Sequence, residues 1–128
     1  MSSPTGLEFE YAAGRLVVRA TNEAEFGQRV AFAQFIGEFV QKNPVTTLMI
    51  DLRDTKGPST FMDRYQLGEL AAEHLPKVPV AVLMREAQTD KQLIGKLVAR
   101  NRGLELEIFF DREPAEAWLQ KRTPRKQP

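Results

Sequence analysis

The sequence lacks several residue types on which common kinds of functional site depend. Its 128 residues include no cysteine, which excludes disulfides, thiolate nucleophiles and cysteine-ligated metals. It has a single histidine, His74, and this residue belongs to no recognisable nucleophile motif. Glycine-rich nucleotide loops and the HExxH zinc motif are also absent. We therefore predict no catalytic residues, no metal site and no cofactor, and the sequence gives little support to an enzyme.

Two further absences concern the surroundings in which the protein works. No stretch approaches the ~20 continuous apolar residues of a membrane-spanning helix, and the N-terminus lacks the basic and apolar segments of a signal peptide. The 18 basic and 17 acidic residues give a formal net charge of +1, too small for a strong field toward nucleic acid. We expect a cytoplasmic protein that binds no nucleic acid and has no membrane span.

The residues that are present predict a single α/β domain. Hydrophobic residues make up 42% of the chain, and its length suits one core. Apolar periodicity predicts the order β-β-α-β-α-β-α-β-α. The short connection at Ala13-Gly14 predicts an antiparallel hairpin, and the alternation that follows predicts a mostly parallel sheet of four to five strands with helices wound sequentially. We place the domain at residues 6–121, with flexible tails at 1–5 and 122–128. The sequence indicates no oligomeric state.

The segment 46–52 is predicted to be the central strand. Its apolar residues are nearly continuous, as in a strand that is covered on both faces. Asp51 interrupts the segment near its end, and Arg53 and Asp54 follow directly. Ligands of open α/β sheets bind at the carboxyl ends of the strands. Any functional site is therefore expected at this end of the strand, with Asp51 in an ion pair rather than bound to a metal.

Four helices are predicted, and Asp111 is expected to cap the last of them. The first runs from about Asn22 to Lys42 and is stopped by Asn43-Pro44. The second begins near Thr60, which with Asp63 forms a capping pair. The third carries Leu97 and Val98 on its core side and ends at Gly103 in a left-handed conformation.

The first helix has an apolar stripe wider than one packing face needs. Phe32, Phe35 and Phe39 belong to this stripe. One interpretation is a helix that is buried on two sides. The other is an apolar groove or an interface with a partner.

Four segments occur in an order that we recognise as a family pattern. They are Ile50-Asp51-Leu52-Arg53, Arg64-Tyr65-Gln66-Leu67-Gly68, Val80-Ala81-Val82-Leu83 and Ala99-Arg100-Asn101-Arg102-Gly103. Over roughly residues 7–120, the chain resembles the STAS domains, named for sulphate transporters and anti-sigma-factor antagonists. It is most similar to the bacterial sporulation anti-sigma-factor antagonist-like, or STAS/SEC14-like, branch.

The resemblance implies a non-enzymatic regulatory module that binds a protein partner, either anti-sigma-like or another regulator. In such antagonists a partner kinase phosphorylates a serine at the start of the helix after the central strand, within Asp-Ser-Ser-Gly. Here Gly57-Pro58-Ser59-Thr60 stands instead, so Ser59 and Thr60 are the candidate phosphoacceptors. The alternative for Thr60 is a helix cap alone.

The partner is expected at the loop 53–60 and the helix that follows it. The candidate binding residues are Asp51, Arg53, Asp54, Lys56 and Arg64. The SEC14-like side of the resemblance motivates a second function, the binding of a lipid or other small apolar ligand as a carrier or sensor. Phe32, Phe35 and Phe39 are the candidate residues for that function.

Overall fold

The computed structural model describes residues 4–21, 26–55, 61–85 and 96–122. Within these ranges the order of strands and helices is the predicted one. The elements in chain order are β1 (Leu7–Ala12), β2 (Arg15–Ala20), α1 (Phe26–Lys42), β3 (Thr47–Asp51), α2 (Phe61–His74), β4 (Val80–Leu83), α3 (residues 96–101), β5 (Leu106–Phe109) and α4 (Arg112–Arg122). The predicted starts of the first and second helices, at Asn22 and near Thr60, lie outside the described residues.

The strands form one five-stranded sheet in the order β1-β2-β3-β4-β5. Strand β1 pairs antiparallel with β2, and the remaining neighbours are parallel. The fold class predicted from the sequence is therefore confirmed. Because β3 is the middle strand, both of its sides are paired. The carboxyl ends of the parallel strands β2, β3, β4 and β5 lie together, at what is here called the carboxyl edge of the sheet.

A two-residue turn joins β1 to β2. Ala13 and Gly14 both have positive φ angles, of 51° and 80°, as a type I′ hairpin turn requires. The carbonyl oxygen of Gly14 accepts a hydrogen bond of 2.7 Å from the amide of Thr46. A Cβ atom at Gly14 would lie 2.8 Å from Oγ1 of Thr46, so the close approach also requires glycine.

One face of the sheet, here called the helical face, carries α1, α2 and α3. Phe35, Ile36 and Phe39 of α1 are buried against β1 and the central strands. The ring of Phe39 lies 5.4 Å from that of Phe9 and 5.1 Å from that of Tyr11, centroid to centroid. Burial of the α1 stripe within the protein agrees with the first of the two interpretations given above.

In the part of the chain that the structure describes, the opposite face is covered over only part of its width. Helix α4 packs on β3, β4 and β5, where Ala115 and Leu119 close over Met49, Ala81 and Leu83. Strands β1 and β2 alternate instead between buried and more exposed positions. We call the part of this face formed by β1 and β2 the open face. Its exposed side chains include Glu8, Glu10 and Arg19.

Helix α3 ends as predicted, although its buried side differs from the prediction. Gly103 has a φ of 92°, and the amide of Leu104 donates to the carbonyl of Ala99 at 3.1 Å, which completes a Schellman motif. Val98 is buried as expected, but Leu97 is 48% exposed and Ala99 is fully buried. The helix is oriented so that Val98 and Ala99, rather than Leu97 and Val98, lie against the core.

Candidate functional site

The candidate site begins with Asp51, the last residue of β3. It lies between Arg19 of β2 and Leu83 of β4 in the register of the sheet, and it is 9% exposed. Arg53 folds back onto it, with Nε 3.1 Å from Oδ1 and Nη2 2.9 Å from Oδ2. The backbone amide of Arg53 also donates to Oδ1, at 3.0 Å. The expected ion pair of Asp51 is therefore present, and it is bidentate.

This geometry sets the charge of Asp51. Burial alone would raise the pKa of its carboxyl group. The hydrogen bonds from the Arg53 side chain and backbone act in the opposite direction and together prevail, so the pKa of Asp51 is lowered. Asp51 is thus held as a carboxylate whose lone pairs are directed at its own loop rather than at solvent.

The loop after Asp51 is fixed from two further sides. Both the amide and the hydroxyl of Thr55 donate to the carbonyl of Leu52, at 3.1 and 2.8 Å. Arg85, which follows β4, donates to the carbonyl oxygens of Arg53 and Thr55, the latter at 3.1 Å. We call residues 52–55 the pinned turn, because side chains from two strand ends hold its backbone in one conformation.

Asp54 is the exposed member of the site. It pairs with Arg19 at the end of β2, and about half of each side chain is exposed, 49% and 51% respectively. Asp51, Arg53 and Asp54, predicted as a cluster, are indeed brought together. Arg19 and Arg85 complete the cluster and were missed by the sequence analysis. The positions of both arginines could have been expected, because the carboxyl ends of neighbouring parallel strands lie side by side in a sheet.

A groove of about 380 Å³ extends from the pinned turn across the open face. Its apolar residues include Val17 and Met49, whereas its rim is charged. The charged residues that line it are Glu8, Glu10, Asp51 and Asp54 with Arg19, Arg53 and Arg112. Arg53 and Arg19 are paired with aspartates, and Arg112 pairs with Glu116 at 2.9 Å. The glutamates of β1 are therefore the acidic residues of the groove that no arginine bridges among the described residues.

The remaining candidate residues lie elsewhere or outside the description. Lys56, Ser59 and Thr60 fall outside the described residues. Arg64 lies on the first turn of α2, at the expected place in the chain. Phe35 and Phe39 are buried in the core, and Phe32 is partly buried against it.

The described residues contain neither a cluster of metal ligands nor a membrane-spanning helix. No group of three or more histidine, aspartate or glutamate side chains in these ranges could hold a metal ion. None of the helices in the described part of the chain is both long and apolar enough to cross a membrane.

Comparison with known proteins identifies the fold. The structure is similar to the crystal structure of an anti-sigma factor antagonist from Mycobacterium paratuberculosis, with a TM-score of 0.63. The match covers 94% of this chain and 99% of that chain, at 20% sequence identity. No family model and no curated protein matches the sequence. The STAS-type fold that the sequence resemblance implied is thus confirmed over nearly the whole chain.

Proposed function

We propose that this protein is a non-enzymatic regulatory module that binds a protein partner through the loop 53–60 and the start of α2. The observation that carries the proposal is the pinned turn, which lies at the carboxyl edge of a STAS-type sheet. Its conformation is set by Asp51, Thr55 and Arg85 before any partner arrives. A preformed turn such as residues 52–55 loses less conformational entropy on binding than a mobile one, which favours affinity.

The charges at the turn support a polar, specific interface. Asp54 and Arg53 remain about 49% and 37% exposed although both are paired. A partner that brings complementary charges can engage both of them without unfolding the turn. Exposed charges of this kind favour fast association and discrimination between partners more than raw affinity.

Phosphorylation at Ser59 or Thr60 is the regulatory step that we propose for this loop. A phosphate would add about −1.5 to −2 charges beside the start of α2. The helix N-terminus tolerates that charge, while an acidic partner surface would be repelled by it. A change of charge there would release the partner without altering the fold.

The alternative of an apolar ligand at Phe32, Phe35 and Phe39 draws no support from the packing. Phe35 and Phe39 contact the protein's own aromatic residues, with the rings of Phe9 and Phe35 5.4 Å apart. The apolar stripe of α1 is thereby accounted for by the core.

Site-directed photo-crosslinking in the native cells tests the partner site. In one variant a benzophenone amino acid replaces Lys56. In the other it replaces Arg102, which precedes β5 and lies toward the amino ends of the parallel strands. We expect one protein to be crosslinked from position 56, less of it when Asp54→Arg is added, and none from position 102. Equal crosslinking from both positions, or none from position 56, would contradict the proposal.

Intact mass spectrometry tests the regulatory step separately. Protein isolated from the same cells should lose the mass of one phosphate on phosphatase treatment. Ser59→Ala or Thr60→Ala, whichever removes the acceptor, should abolish that loss. A chain that never carries phosphate under conditions in which the crosslink changes would rule out the switch and leave the partner site in place.

A further inference from the structure

We propose that the free edge of β1 is a second interaction surface, which accepts an extended strand of a protein partner. The side chains of that strand alternate between basic residues on one face and apolar residues on the other. The surface is distinct from the loop 53–60, so this inference and the proposed function can fail independently.

The hydrogen-bond pattern of the hairpin leaves the outer edge of β1 unpaired. The amide of Thr21 donates to the carbonyl of Gly6 at 2.8 Å, which makes these two residues a hydrogen-bonded pair. In an antiparallel ladder such pairs alternate, so Glu8 and Glu10 direct their backbone groups at β2. The amides and carbonyls of Phe9 and Tyr11 consequently point away from the sheet. In the described residues no strand pairs with β1 on that side.

The outer edge of β5, at the other border of the sheet, shows how backbone groups that point away from a sheet can be blocked. On β5 the outward amide of Ile108 donates to Oε1 of Glu107 at 3.2 Å. Lys96 and Arg100 of α3 both reach the same carboxylate, Arg100 at 3.8 Å. This cap occupies the edge with a side chain and with charge, two devices that discourage strand addition. Within the described ranges, no side chain makes a comparable bond to the backbone of Phe9 or Tyr11.

The side chains of β1 define which strand would fit. The side chains of Glu8 and Glu10 are exposed on the open face and make no hydrogen bond or ion pair in the described part of the chain, although Arg19 interacts with Glu8 at longer range. Phe9 and Tyr11 lie on the helical face and are partly buried there. The Cβ atoms of an added strand would lie about 4.5–5.5 Å from the Cβ atoms directly opposite on β1. Lysine or arginine is therefore complementary on one face of that strand, and an apolar residue on the other.

A second copy of this chain is a poor occupant of the same edge. Two β1 strands related by a two-fold axis normal to the sheet would keep the same face of each strand on the same side. Glu8 and Glu10 of one copy would then lie opposite glutamates of the other. Like charges directly across a strand pair are destabilising. The edge thus disfavours self-association and favours a basic strand.

The groove beside β1 extends this complementarity. It runs from Glu8 and Glu10 over Val17 toward the pinned turn. The aliphatic part of a lysine or arginine side chain packs well on an apolar floor while its charge reaches a carboxylate. Arg19, the basic residue opposite Glu8, already bonds to Asp54.

The test uses a blocked peptide of about ten residues in which lysine alternates with valine. It is titrated into the full-length, isotope-labelled protein and followed by NMR. We expect saturable shifts centred on Phe9 and Tyr11 and slower hydrogen exchange of those two amides. A peptide with glutamate in place of lysine should not bind. Two further peptides are N-methylated at alternate residues, one at the lysines and one at the valines. The peptide whose methyl groups replace the amides that face β1 should bind at least about tenfold more weakly.

Charge variants separate the edge from general electrostatics. Glu8→Lys with Glu10→Lys should weaken binding of the lysine peptide by about tenfold or more. Glu38→Lys with Glu73→Lys makes the same change in net charge on exposed helix positions and should leave binding within about twofold. The proposal is overturned if the peptide does not bind, if N-methylation in both registers has no effect, or if both double variants weaken binding equally. A dimer of the free protein paired through β1 would overturn it as well.

Discussion

Strands β1 and β5 both border the sheet, and they differ in what covers them. Strand β5 has α4 on one face, where the rings of Phe109 and Trp118 lie 5.7 Å apart, and its outer edge is capped by Glu107. Among the described residues, strand β1 is covered only on the helical face, by the aromatic residues of α1. Its other face carries Glu8 and Glu10 into solvent, and its outer edge is unpaired in the described residues.

The difference separates the residues that hold the fold from those that are available for binding. The side near β5 combines buried apolar contacts with a blocked edge, so the addition of a strand is disfavoured there. The side near β1 and the carboxyl edge of β3 present exposed charges on a backbone that is already ordered. Both proposed surfaces lie on this second side, where binding requires no rearrangement of the core.

The largest expected effect on stability comes from removing a packing contact between α4 and the sheet. Leu119→Ala removes a fully buried side chain that joins α4 to β3 and β4. We expect it to lower the free energy of unfolding by about 2–5 kcal/mol, because both buried area and packing are lost. Val17→Ala, on the open face, should cost less than about 1 kcal/mol. Denaturant unfolding measures both, and equal losses would contradict the division into covered and open faces.

The next effect tests the pinned turn. Asp51→Asn removes a buried carboxylate that accepts three hydrogen bonds from Arg53, and we expect a loss of about 1–3 kcal/mol. The matched variant Asp54→Asn breaks an exposed pair and should cost less than about 1 kcal/mol. Urea unfolding at neutral pH should rank the two variants in this order. The reverse order would place the anchor of the turn at Asp54.

The pH dependence of stability offers a second view of the same residue. The pKa of Asp51 is lower in the folded protein than its ordinary value. Its contribution is therefore fully present above the unfolded pKa of about 3.9 and is lost as pH falls through the lower folded pKa. The difference in unfolding free energy between wild type and Asp51→Asn should shrink below about pH 4. A difference that stays constant down to pH 2 would show that folding does not lower the pKa of Asp51.

A smaller effect is expected at the capped edge. Glu107→Ala removes both the acceptor for Ile108 and the partner of Lys96, at a cost of about 1 kcal/mol. The amide of Ile108 should also exchange its hydrogen faster. Glu105→Ala, which breaks only the exposed pair with Arg122, should leave that exchange rate unchanged. If the amide of Ile108 exchanges equally slowly in both variants, the Glu107 carboxylate does not protect that amide from exchange.

The smallest effect concerns the exposed pair of the open face. Arg19→Gln should change the free energy of unfolding least among these variants, and the change should diminish with added salt. Thermal unfolding at low and high salt measures it. A larger, salt-independent loss would show that Arg19 supports the core rather than the surface.

The fold was predictable because its signals are local. The alternation at Leu7, Phe9 and Tyr11 marked β1, the turn at Ala13-Gly14 marked the hairpin, and the apolar segment 46–52 marked an interior strand. Leu97 was wrongly predicted to face the core, since a short apolar pattern does not fix which side of a helix approaches the sheet. There the small side chain of Ala99 makes the contact.

The site was predictable only where its residues are neighbours in the chain. Asp51, Arg53 and Asp54 follow one another after β3, so their proximity needed no tertiary information. Arg85 is separated from Arg53 by 32 positions, and it meets the turn only through the register of β3 and β4. That no described strand pairs with the outer edge of β1 depends likewise on the order of strands in the sheet, which no single segment encodes.

Residue-resolved hydrogen exchange of the free protein tests most directly whether the sheet has one open and one blocked edge. The amides of Phe9 and Tyr11 should exchange many times faster than those of Glu8 and Glu10, which alternate with them in the same strand, and faster than that of Ile108. Comparable protection of all four β1 amides, or an Ile108 amide that exchanges as fast as that of Phe9, would contradict the proposed difference between the two edges.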